Sequence, residues 1–146
     1  MVFTTINRRE TTGFVYANVP SSKARRRTGA VMSGVAILFL LFDAVTKLMG
    51  TSQSIEASGQ LGYPASLVPI IGIILVLCVI AYAIPSTSVL GAIFLTGYLG
   101  AAAAAQLRVG NPLLTHTLFP IYIGVLVWGG LLSREERLRA LVPLRR

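Results

Sequence analysis

Residues 89–132 read VLGAIFLTGYLGAAAAAQLRVGNPLLTHTLFPIYIGVLVWGGLL, two apolar runs joined by a turn that carries Gln106, Arg108, Asn111, Pro112 and His116. Each run has about the 20 residues that cross a hydrocarbon core at 1.5 Å rise per residue. Two helical spans, 89–107 and 113–132, are therefore expected to lie antiparallel, with the polar turn at one membrane surface. Pro120 is expected to kink the second of them one to two turns after its start. Gly97, Gly100, Ala101 and Ala105 place small residues about one turn apart on the first, a pattern that lets helix backbones approach closely in lipid. Packing inside the same bundle is the expected use of that stripe, and a dimer contact the alternative.

The remainder of the chain fits the same class. Hydrophobic residues make up 54% of the 146 residues and charged ones 12%, with a mean hydropathy of +0.74. That is too apolar for a soluble domain of this length. Residues 29–48, GAVMSGVAILFLLFDAVTKL, form a first span, and residues 66–84, SLVPIIGIILVLCVIAYAI, a second. A polar loop at 49–63 separates them, and Pro64 opens the second helix, where its missing amide hydrogen is not needed. Pro69 lies early enough in that helix to bend it little. Pro85-Ser86-Thr87-Ser88 is a very short turn, which sets the second and third spans side by side and antiparallel. The expected fold is all-α, a four-transmembrane-helix antiparallel bundle over residues 28–132. Tails at 1–27 and 133–146 flank it.

Those tails hold most of the positive charge. Arg8, Arg9, Lys23, Arg25, Arg26, Arg27, Arg134, Arg137, Arg139, Arg145 and Arg146 are eleven of the thirteen Lys and Arg residues. Four spans put both tails on one side, which the positive-inside rule makes cytoplasmic. The net charge of +8 thus suits anionic lipid headgroups and not a nucleic-acid face. Arg8-Arg9 has no apolar stretch close behind it, so a twin-arginine export signal is not expected. Around Phe14–Tyr16 the tail has the makings of a short interfacial segment. Cys78 is the single cysteine, so no internal disulfide can form, and a small buried apolar role is expected.

Lys47 and Arg108 break the charge rule, because this topology puts both at the outer ends of their spans. The same end gathers Asp43, Tyr63, Gln106 and His116. Asp43 lies about 9 Å inside the end of its helix, where a carboxylate normally faces the bundle interior with a partner. Lys47 is one turn away in the favourable order, acid before base. Arg108 is the other candidate counter-ion, with a planar fork able to grip the carboxylate by two bonds. Two uses of this cluster are weighed: a structural clasp between helix ends, and a shallow polar pocket for a small ligand or a quinone head group. A proton path has only Ser33, Tyr82 and Thr96 as further polar steps. No metal or haem site is expected, since His116 has no companion ligands.

The run GAIFLTGYLGAAAAAQLRVGNPLLTHTLFPIYIGVLVWGGLLSREERLRALVP resembles the C-terminal half of the DoxX-like membrane proteins. SGVAILFLLFDAVTKL and QLGYPASLVPIIGI resemble the N-terminal half. The matching positions are Asp43 and Lys47, Leu61-Gly62-Tyr63-Pro64, Gly97-Tyr98-Leu99-Gly100, Arg108, His116 and Phe119-Pro120. The resemblance implies a four-helix protein of the bacterial cytoplasmic membrane. It also implies association with membrane redox complexes, a quinone as the cofactor, and soluble redox proteins as partners. Many relatives carry a histidine where this chain has Gln106, so any proton or metal handling by that histidine is not expected here.

Three functional classes follow. An accessory subunit would dock soluble partners through its basic tails. A small-molecule or ion transporter would act as a homo-oligomer, with Tyr82 and Thr96 lining the pore. A purely structural interaction protein would use the polar cluster for packing alone. No catalytic set is found among one Cys, one His and two intramembrane charges, so activity of the chain on its own is not expected.

Overall fold

The computed structural model describes residues 23–135 and Leu138. All regular structure among them is helical. Helix α1 is Lys23–Leu48, α2 is Ser52–Gln60, α3 is Val68–Ala83, α4 is Ser88–Arg108 and α5 is Phe119–Arg134. A 3-10 turn at Ala65–Leu67 precedes α3, and a π-helical turn at Leu113–Thr117 precedes α5. Four segments are long and apolar enough to cross a membrane: Lys23–Leu48, Ala65–Ala83, Ser88–Arg108 and Leu113–Arg134. Large side chains such as Leu38, Phe42, Leu114 and Val125 are exposed on the outer surface of the bundle. That surface suits lipid and not water, so the chain is a multi-pass membrane protein.

Three boundaries differ from expectation. The basic cluster Lys23–Arg27, expected in the tail, is the start of α1. No glycine or proline interrupts it, and Ala, Lys and Arg are good helix formers. The polar stretch after α1, expected as a loop, contains α2. Thr51 caps that helix by accepting a hydrogen bond from the Ser54 amide at 3.3 Å. The break in the fourth span falls before Pro120, which sits in the first turn of α5. The residues ahead of it close i to i+5 bonds, Thr117 to Pro112 at 3.3 Å and Leu118 to Leu113 at 2.8 Å. The expected segment at Phe14–Tyr16 lies outside the described residues, as do Arg137, Arg139, Arg145 and Arg146.

The four spans form a ring. Helix α1 packs on α3 and α5, α4 packs on the same two, and the diagonal pairs stay apart. Close approach is possible where side chains are missing. A Cβ on Gly130 would meet the Ser33 amide at 2.9 Å and the Gly29 carbonyl at 3.1 Å, so α1 and α5 touch through backbone. A Cβ on Gly72 would meet the Ala44 carbonyl at 3.1 Å, and one on Gly91 would run into the Tyr82 backbone nitrogen. Polar side chains then join the helices. The buried Tyr82 hydroxyl donates to the Val127 carbonyl at 2.8 Å and pairs with Ser33 Oγ at 2.9 Å. The Trp128 indole donates to Thr96 Oγ1 at 2.8 Å. Ser33, Tyr82 and Thr96, the only polar steps the sequence offers a proton path across the inner half, are engaged in holding helices together.

The expected packing stripe on α4 is corrected by these contacts. A Cβ on Gly97 or Gly100 would meet nothing within 4 Å, and Ala101 is exposed. Of the four residues only Ala105 is buried. Small residues bring helices together only where a neighbour lies over them, and the ring geometry puts the α4 neighbours over Gly91 instead. Gly91→Ala should accordingly lower the thermal unfolding midpoint in detergent, by about 1–3 kcal/mol of stability as for other overpacked contacts. Gly97→Ala should leave the midpoint unchanged or raise it, since Ala is the better helix former by about 0.5–1 kcal/mol.

Candidate functional site

The end of the bundle opposite the termini holds a cleft of about 510 Å³. Leu40, Leu99 and Ile123, all core residues, close it towards the middle of the bundle. Ile71 and Ile74 line it from α3, and Phe119 with Pro120 from α5. On α4 its wall is Tyr98, Ala101, Ala102 and Ala105. The alanine run thus makes room for a cavity, because one methyl group per residue cannot fill the space between diagonal helices. Helix α2 covers the cleft with Gln53, Ser54, Ala57 and Ser58.

Helix α2 is tied down at both ends. At its start Thr51 Oγ1 donates to the Thr46 carbonyl at 3.3 Å. At its end the Tyr63 amide returns to the Ser58 carbonyl at 3.0 Å and the Gly62 amide to Gly59 at 2.9 Å. This double closure needs a left-handed residue, and Gly62 supplies it at φ +83°. The Arg108 guanidinium then donates to the Leu61 carbonyl. A cation at the C-terminal end of a helix is favoured by the unpaired carbonyls there.

This arrangement corrects the expected role of Arg108. It does not line the cleft, and its bond goes to backbone and not to Asp43. The single ion pair among the described residues is Lys47 to Asp43, one turn apart on α1. Because both partners belong to one helix, the pair does not clasp separate helices. Proximity decides this: an i, i+4 partner is in reach from the moment the helix forms. The pair is partly buried and borders the cleft.

The other expected members divide. Tyr63 and Gln106 line the cleft, and the Asn111 amide donates to Gln106 Oε1. His116 does not line it. It is exposed in the π-helical turn, with Nδ1 2.8 Å from Thr115 Oγ1. Asp43, Lys47, Tyr63 and Gln106 are thus brought together, and Arg108 and His116 stand outside. Tyr98, Thr46 and the face of α2 were missed by the sequence reading. Tyr98, Ala101, Ala102 and Ala105 recur at helical spacing, a signal for one shared face that was open to use. Neither the Tyr63 nor the Tyr98 hydroxyl has a hydrogen-bond partner among the described residues. No group of three or more His, Cys, Asp or Glu able to hold a metal ion occurs among those residues.

Residues 31–130 match the family model described as the DoxX-like family. Comparison with curated proteins and with solved structures finds no match.

Two outcomes test this geometry. Asp43→Ala should destabilise the protein by about 1 kcal/mol more than Asp43→Ala with Lys47→Ala, because the single change strands an ammonium group. Thermal melts of both variants in one detergent measure the difference, and equal losses would refute the pairing. Arg108→Ala should speed amide exchange across Ser52–Gln60 by roughly fivefold, the loss of about 1 kcal/mol from a solvent-facing charged hydrogen bond. Exchange in the middle of α1 should not change.

Proposed function

The chain belongs to the DoxX-like family, and from that premise we propose that it is an accessory subunit of a membrane redox complex that holds a quinone head group in its cleft. The observation that carries this reading is the pair of phenol groups, Tyr63 and Tyr98, that stand in the wall of the 510 Å³ cleft with no hydrogen-bond partner among the described residues. Its volume falls within the usual range for small-molecule sites, roughly 300–1,000 Å³, and its walls are mainly apolar with few polar groups. Lys47 adds donors of its own. An ammonium group has three hydrogens, and Asp43 takes one, which leaves two for a ligand carbonyl. A quinone offers two such carbonyl oxygens and no donor, which matches a site rich in donors.

The proposal extends to placement and partners. With basic residues at the termini, the positive-inside rule supports cytoplasmic tails in a bacterial inner membrane, and a cleft that faces the opposite side. Lys23, Arg25, Arg26, Arg27 and Arg134 at the termini end suit anionic membrane lipids and an acidic soluble redox partner. Transport by a single bundle is disfavoured. Towards the termini the cleft ends on Leu40, Leu99 and Ile123, and Ala36, Leu75, Leu95 and Val127 fill the core with them.

Purification from native membranes in mild detergent, followed by solvent extraction and mass spectrometry, should recover an isoprenoid quinone in stoichiometric amount. Ala102→Phe, which fills the cleft, should lower that yield roughly tenfold, about 1.4 kcal/mol of binding. Tyr98→Phe should lower it less while leaving the melting midpoint in place. Recovery of no quinone, or equal recovery with the cleft filled, would overturn the reading.

A further inference from the structure

A second hollow of about 320 Å³ lies on the flank of the bundle, along the seam between α4 and α5. Two glycines make it. A Cβ on Gly100 would meet nothing within 4 Å, and one on Gly124 would meet only Leu99 Cδ1 at 3.8 Å. Neither position needs glycine for its backbone, since both have ordinary helical dihedrals, and neither lies at a tight helix crossing. Leu99 and Pro120 line this groove and also the cleft, so the two spaces share a wall. At the other end Trp128 and Thr96 bridge the seam with their hydrogen bond and close the groove. Between these ends its surface is almost wholly apolar, with Ile121 and Val125 on the lipid side.

We propose that this groove holds the hydrocarbon tail of the molecule whose head group sits in the cleft. The proposal rests on the cleft being a ligand site. Its occupant is an amphipathic molecule with one flexible chain, reaching the protein from the lipid through the α4/α5 seam. From Pro120 to Trp128 the groove runs about 12 Å at 1.5 Å per residue, long enough for the first part of such a chain. A partner helix, about 10 Å across with its side chains, would ride over so narrow a hollow and leave it unfilled. Leu99 and Pro120, which border both spaces, set the groove directly beside the cleft, and that adjacency is what assigns it to the same ligand. The shared wall puts a polar head and an apolar tail each in matching surroundings.

The test compares two quinones with one head group, the first with a ten-carbon chain and the second with none. Equilibrium dialysis measures their binding to the full chain in detergent, as wild type, Gly124→Leu and Gly100→Leu. The wild type should bind the chain-bearing quinone roughly tenfold more tightly than the other, from the apolar surface the tail buries. Both variants should bind the chainless quinone as the wild type does and lose that preference. Gly100→Leu serves if Gly124→Leu fails to fold, because open space surrounds its Cβ. A preference that survives in a folded variant overturns the tail groove and leaves the cleft reading standing. Binding of neither quinone to the wild type overturns both. Loss of a copurifying phospholipid in the variants, with quinone binding unchanged, overturns the proposal by assigning the groove to an acyl chain of the bilayer.

Discussion

In a bilayer no water competes for the Tyr82 hydroxyl, and the bundle is built around how that group is satisfied. It donates to Val127 on α5 and pairs with Ser33 on α1, while its own backbone lies against Gly91 on α4. One residue of α3 therefore touches all three of the other spans. Hydrophobic burial cannot draw helices together in lipid, which is as apolar as their side chains, so close packing and such hydrogen bonds must do it. The Gly29, Ser33 and Gly130 contact tightens the same half of the bundle, nearer the termini.

The other half is looser, and that difference creates the site. Helices α1 and α3 stay together there through Gly72 and Ala44, but the α4 face opposite them carries the small residues Ala101, Ala102 and Ala105 beside Tyr98, Leu99 and Gln106. The space that remains is the cleft, and α2 covers it. The lid depends on local chemistry at its two ends, with Thr51 at its start, and Gly62 with Arg108 at its finish. Arg108 thus acts on the site through the lid, without bordering the cavity. Asp43 and Lys47 give the cleft a charged edge that is neutral in sum, which makes their depth in the membrane tolerable.

Much of the fold was legible in the chain. The lengths of the apolar runs and the short turn at Pro85 determined four antiparallel helices, with the start of the first span and the end of the fourth on one side. Each signal is local: span length follows from rise per residue, and turn geometry from proline chemistry. The pairing of Asp43 with Lys47 was legible for the same reason, since four residues of helix bring them together. The bond from Arg108 was not legible. Its partner is a backbone carbonyl, and backbone carbonyls are identical at every position of a sequence.

What only the tertiary structure decided is which small residues meet a neighbour and which leave a void. Gly91 and Gly97 look alike in the chain, yet one presses on Tyr82 and the other faces open space. The same holds for Ala101 to Ala105, where a packing stripe and a cavity wall have the same spelling. Side-chain size states how near a second helix can come. Only the ring arrangement of the spans determines whether one is there.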